Sequence, residues 1–129
     1  MKEKNVKFLA IICILTIASS LFTFAALAAK HNFTLRPAAG SNSFVYTPIN
    51  QKSDAEQMAY VTVSSMSPTT VVYAQVTDVN YIPHINPVTV NGTGRYNKSY
   101  NSYAQEGEPM RLGMRATTLT TTVSGAWNS

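Results

Sequence analysis

From residue 30 onward, apolar and polar positions alternate with a period of two, and no stretch holds the 3.6-residue period of an amphipathic helix. Phe33 and Leu35 alternate with Asn32, Thr34 and Arg36, predicting a short first strand that Pro37 stops. Residues 37–57 are rich in Gly, Ser, Asn and Pro and read as loop, with an extended piece over 44–47. Ala59, Val61 and Val63 alternate with Tyr60, Thr62 and Ser64. Val72, Ala74 and Val76 then share one face of a strand over 71–77. These two runs read as a hairpin across residues 65–70. A connection with Pro83, His84 and Pro87 leads to a strand at 88–90, and Asn91-Gly92-Thr93-Gly94 supplies turn residues. Residues 95–101 form the next strand, with Tyr96, Lys98 and Tyr100 in a row on one face. After a turn at Glu106-Gly107-Glu108-Pro109, Met110, Leu112 and Met114 make an apolar face opposite Arg111, Gly113 and Arg115. A last strand carries Leu119, Thr121, Val123, Gly125 and Trp127 on one parity, with Trp127 as a core plug. Six or seven short strands separated by turn signals predict an all-β, antiparallel β-sandwich.

The first 28 residues are a different material. Lys2, Lys4 and Lys7 precede an apolar stretch from Phe8 to about Leu27, and Ala26-Leu27-Ala28 has the small-x-small form of a cleavage site. The reading is a signal peptide over 1–28 and a secreted domain over 29–129, extracellular once cleaved. Were the leader retained, Phe8–Ala28 is long enough to cross about 30 Å of hydrocarbon and would hold the domain at the cell surface. The single cysteine, Cys13, falls inside the leader, so the domain is cysteine-free and has no disulfide to compensate for a thin core. Asn32, Asn91 and Asn97 begin Asn-x-Ser/Thr triplets, which a chain rich in these residues produces by chance.

Charge narrows the function classes. The chain has 10 Lys+Arg against 6 Asp+Glu, a net charge of +4. Lys2, Lys4 and Lys7 against Glu3 account for half of it, so the domain lacks the concentrated cationic patch that nucleic-acid binding needs. Reactive groups are sparse. A Ser–His–Asp site would have to use His84 with Asp54 or Asp78, and no strained serine turn accompanies them. Glu106 and Glu108 flank Gly107 in a turn, where a glycosidase pair would need a cleft and a desolvated acid. No cofactor is expected: the domain has no zinc-ligand cluster, too few acids together for calcium, and no helix after Gly92 and Gly94 to cradle phosphate. The surface that stands out is Arg95, Tyr96, Lys98 and Tyr100, extended by Arg111 and Arg115 on the outer face of the following strand. Aromatic rings beside cations suit sugar rings and anionic envelope polymers. Arg111 and Arg115 could equally pair with Glu106 and Glu108.

Met110-Arg111-Leu112-Gly113-Met114-Arg115-Ala116, followed by Val123-Ser124-Gly125-Ala126-Trp127, resembles the C-terminal half of small secreted proteins of Gram-positive bacteria that share a domain of unknown function. Their Phe-x-Leu strand is matched by Phe33-Thr34-Leu35, and their Tyr-x-x-x-Tyr segment by Tyr96 and Tyr100. A weaker similarity is to the lactococcin-like bacteriocins, cysteine-free secreted β-sandwiches that act on cell-wall synthesis. This chain is longer and less aromatic at its C-terminus than those. The resemblance implies a secreted β-sandwich from a bacteriocin-type setting, and it carries over no functional residues. The expectation is therefore a non-enzymatic exported protein that binds a cell-wall polymer or other envelope component. The alternative is self-assembly or partner binding by strand addition at an exposed edge such as residues 119–127.

Overall fold

Alternation along the chain becomes pleat in the computed structural model, which describes residues 30–129. The leader read over residues 1–28 lies outside the described residues, as does residue 29. Nine strands are present and, among the described residues, no helix. They are β1 (His31–Leu35), β2 (Val45–Tyr46), β3 (Asn50–Gln51), β4 (Met58–Ser67), β5 (Val72–Thr77), β6 (Val88–Val90), β7 (Gly94–Ser99), β8 (Pro109–Ala116) and β9 (Thr122–Asn128). Sheet 1 has the order β1-β9-β4-β7; sheet 2 has β2-β8-β5-β6, with β3 also pairing β8. Every pairing is antiparallel. The fold is the all-β, two-sheet arrangement that the period-two pattern predicts.

The inner faces follow the apolar parity. Ala59, Val61, Val63, Val123 and Trp127 from sheet 1 meet Val72, Ala74, Val76, Met110, Leu112 and Met114 from sheet 2, all of them buried. One irregularity matters for this packing. The β4–β9 register shifts between Val63 and Ser65, so Ser64 is an extra residue in β4. Val63 and Met66, three positions apart, are therefore both buried, where strict alternation would turn Met66 to solvent. Gly125 faces Val63 at this point, and a Cβ on it would lie 1.9 Å from the Thr62 carbonyl oxygen.

Three expectations are corrected. β4 and β5 do not form a hairpin across 65–70: they lie in opposite sheets. β4 stays paired with β9 as far as Ser67, and the Thr121 hydroxyl donates to the Pro68 carbonyl at 2.6 Å, holding the corner where the chain crosses over. The C-terminal run is not an edge, because β9 pairs with β1 on one side and β4 on the other. Parity reports which face of a strand is apolar, not how many neighbours the strand has. Finally, the loop read over 37–57 contains a second strand, β3, besides the extended piece that became β2.

Polar side chains hold the loops at the ends of the sandwich. Gln57 donates through Nε2 to the Ala104 carbonyl at 2.8 Å and accepts from the Ala104 amide at 2.7 Å, so one side chain imitates a strand pairing. Lys52 is buried, and its Nζ donates to the Asp54 carbonyl at 2.6 Å, to Asp54 Oδ1 at 3.0 Å and to the Glu56 carbonyl. With three acceptors the ammonium has a partner for each proton, which is what makes burial of the charge tolerable. The same lysine backbone exchanges bonds with Glu108 and Gly107, tying residues 52–57 to 104–108.

Candidate ligand-binding face

The six surface residues singled out in the sequence fall on two different sheets. Arg95, Tyr96 and Lys98 lie on β7, an outer strand of sheet 1, and Tyr100 follows one residue after it. Tyr96 pairs with Val61 and Lys98 with Ala59, so this row shares the inward parity of β4. Tyr96 and Tyr100 pack against the core rim rather than standing out from it. The Tyr96 hydroxyl donates to the Gly92 carbonyl at 3.0 Å, and the Tyr100 ring is edge-on to His84 at 6.3 Å. Burial pushes the Tyr100 phenol well above its usual range, so it stays neutral. Arg95 has the opposite parity and lies 4.5 Å from the centre of the Tyr60 ring. Tyr60 donates to the Glu56 carboxylate, and that bond is the main cause of its raised pKa. A cavity between the sheets beneath Tyr96 and Lys98 measures about 10 Å³, room for one water.

Arg111 and Arg115 stand on the outer face of sheet 2, and the structure surrounds them with rings that period counting does not connect to them. Arg115 pairs with Tyr73 of β5, Gly113 with Gln75, and Arg111 with Thr77. On the other side of β8, Tyr46 of β2 is opposite Gly113. The Tyr46 ring covers the gap that glycine leaves: a Cβ at position 113 would be 2.5 Å from Tyr46 Cε1. Tyr81 reaches the same place from the β5–β6 connection, its ring 4.8 Å from that of Tyr46, and Phe44 lies 6.2 Å from Tyr46 on the other side. The Arg111 guanidinium is 5.0 Å from the Tyr81 ring centre; that of Arg115 is 5.0 Å from Tyr73 and 5.7 Å from Phe44. The result is a run of three rings with a guanidinium at either end.

Backbone conformation helps to place Tyr81. Its φ is +65°, a left-handed value that bulky side chains rarely adopt. The turn is held by Asp78, whose Oδ1 accepts from the Asn80 and Ile82 amides at 2.8 and 2.9 Å, while its amide bonds the Ile82 carbonyl. A residue kept in such a conformation by its surroundings is a marker of functional sites. The turn carries Tyr81, half-exposed, onto Tyr46 and Arg111, with exposed Ile82 beside it.

Among the described residues, neither Arg111 nor Arg115 forms an ion pair. Glu108, which the sequence offers as a partner for them, is instead 3.4 Å from His84 Nε2. Asp54 is taken by Lys52 and Asp78 by backbone amides, so His84 pairs with neither aspartate. Arg111 Nε is buried beneath this face without a hydrogen-bond partner. No group of three or more His, Cys, Asp or Glu among the described residues is placed to hold a metal.

The class these features define is a two-sheet β-sandwich with an arginine–aromatic cluster on the outer face of sheet 2. No family model matches the chain, and none of the curated proteins compared with it matches either.

Proposed function

We propose that this chain is an exported, non-enzymatic β-sandwich that binds a component of the cell envelope, in the setting of a bacteriocin-like or bacteriocin-associated protein. The binding surface is the outer face of sheet 2. One observation carries the reading: two arginines of β8 that have no carboxylate partner among the described residues flank three neighbouring rings, Tyr46 from β2 and Phe44 and Tyr81 from the adjoining loops. Sheets position side chains more firmly than loops do, and a positive face with aromatic surface suits a polar, anionic polymer. The strained conformation of Tyr81 supports the same face, since nothing in the core requires that ring to be there.

Retention of the purified protein on isolated cell envelope, compared with an Arg111→Gln/Arg115→Gln double variant, tests this. The parent should be retained and the variant released. Equal retention of both would move the binding surface elsewhere, and absence of retention together with absence of effect on growing cells would end the reading. N-terminal sequencing of protein recovered from culture medium tests export, with Ala29 as the expected first residue.

A second reading rests on β7. Every residue of this strand except Tyr96 is exposed, and among the described residues no strand pairs with its outer side, so it offers an edge for strand addition. Arg95 and Lys98 on it are the charges that natural edges use against indiscriminate pairing.

A further inference from the structure

The geometry of the sheet 2 face narrows the chemistry of what it binds, and this step rests on the reading of that face as a binding surface. Arg111 and Arg115 are four residues apart on one face of β8, so their backbones are about 13 Å apart at the strand rise. Their guanidiniums lie against different rings, that of Arg111 at Tyr81 and that of Arg115 at Phe44 and Tyr73, so the two charges are held apart. Between them lie ring surfaces, Phe44 to Tyr46 at 6.2 Å and Tyr46 to Tyr81 at 4.8 Å. A guanidinium beside a ring still has its two terminal nitrogens as a fork of N–H donors matched to a carboxylate, and at Arg111, whose Nε is buried, that terminal pair is the fork that faces outward. The face is therefore charged at two separated points and apolar between them.

We infer that the ligand is a linear acidic glycan of the uronic-acid type, its sugar rings over the Phe44–Tyr46–Tyr81 run and one carboxylate at each of Arg111 and Arg115. A neutral glycan meets the rings and leaves the guanidiniums unpaired. A phosphodiester-linked polyol meets the guanidiniums and has no ring faces to stack. Only a chain with both features uses the whole surface.

Titration calorimetry with the purified protein tests this using galacturonic acid, oligogalacturonates of increasing length, a methyl-esterified oligomer and poly(glycerol phosphate). Affinity should rise by about tenfold or more once an oligomer is long enough to reach both arginines, because the second charged contact is then intramolecular. Arg111→Gln and Arg115→Gln should each return the long oligomer to the affinity of the short one. The inference is overturned if galacturonic acid alone binds as tightly as the long oligomer. It is equally overturned if the ester or the poly(glycerol phosphate) matches the acidic oligomer. If isolated envelope retains the protein but no oligogalacturonate binds, the ligand class falls and envelope binding stands. If neither binds, both fall.

Discussion

Replacing Gly125 with alanine should be among the most damaging single-methyl additions possible in this fold. The added Cβ would lie 1.9 Å from the Thr62 carbonyl oxygen, 2.9 Å from the Thr62 carbonyl carbon and 3.1 Å from Val63 Cα. All three are backbone atoms, so no side chain can rotate away. A carbon–oxygen contact relaxes at about 3.3 Å, which requires β9 and β4 to part by roughly 1.4 Å there. Ladder bonds near 2.9 Å stretched by that amount are broken. Loss of two rungs at about 1 kcal/mol each, with overpacking strain of about 1–3 kcal/mol, gives roughly 3–5 kcal/mol. For a domain of this size each kcal/mol shifts Tm by about 4–8 °C, so the midpoint should fall by roughly 12–40 °C. Ser124→Ala is the control: its hydroxyl meets that of Thr34 at 3.0 Å on the exposed face, and its loss should cost about 1 kcal/mol or less. Thermal unfolding followed by circular dichroism and calorimetry measures both. A Gly125→Ala protein melting within a few degrees of the parent would refute the claim that β4 and β9 are in backbone contact at this point.

Further outcomes rest on other residues. Lys52→Met should destabilise the protein by about 3–5 kcal/mol in chemical denaturation, because it leaves the half-buried Asp54 carboxylate and two carbonyls without their donor. Tyr81→Asn should leave Tm unchanged or raised, since Asn tolerates positive φ, while retention on isolated envelope falls; loss of both together would mean the ring serves the fold. Removing residues 119–129 deletes β9 from the middle of sheet 1 and should abolish cooperative melting. Tyr100, whose pKa is raised by burial, retains its proton in the folded state after the unfolded chain has lost it. The unfolded state then binds fewer protons than the folded one, so stability should decline as pH rises above about 10. Tyr100→Phe should flatten that decline in a pH series of denaturant melts.

Some of this architecture is legible in the sequence, and the rest is hidden for identifiable reasons. β8 is legible because Met110, Leu112 and Met114 alternate without interruption, and all three are buried. The end of β4 is not, because the extra residue at Ser64 reverses the parity of Ser65, Met66 and Ser67. β2 and β3 have two residues each, too short for any period to register. At the binding face, Arg111 and Arg115 could be placed on an outer surface from their alternation alone. Their ring neighbours Phe44 and Tyr81 are distant in sequence and come from loops that period counting passes over. One clue was present: Gly113 between the two arginines is a gap on an otherwise long-chained face, the shape a ring lying across the strand fills. For Tyr96 and Tyr100, the sequence places both on one face but does not give the β4–β7 register that sets Tyr96 opposite Val61 and so turns that face inward.

The order of strands across the sheets sets when the molecule can form. β1 pairs only with β9, and β2 and β3 pair only with β8. The first three strands made thus wait for the last two, with most of the chain in between. Contacts this distant in sequence make folding slow and nearly all-or-none. A half-emerged chain lacks β8 and β9, the strands that join the others into two sheets, and has only the β4–β7 and β5–β6 pairings open to it. Both sheets are therefore closed late, by the two strands that every earlier one needs as a neighbour or as a bridge to its sheet.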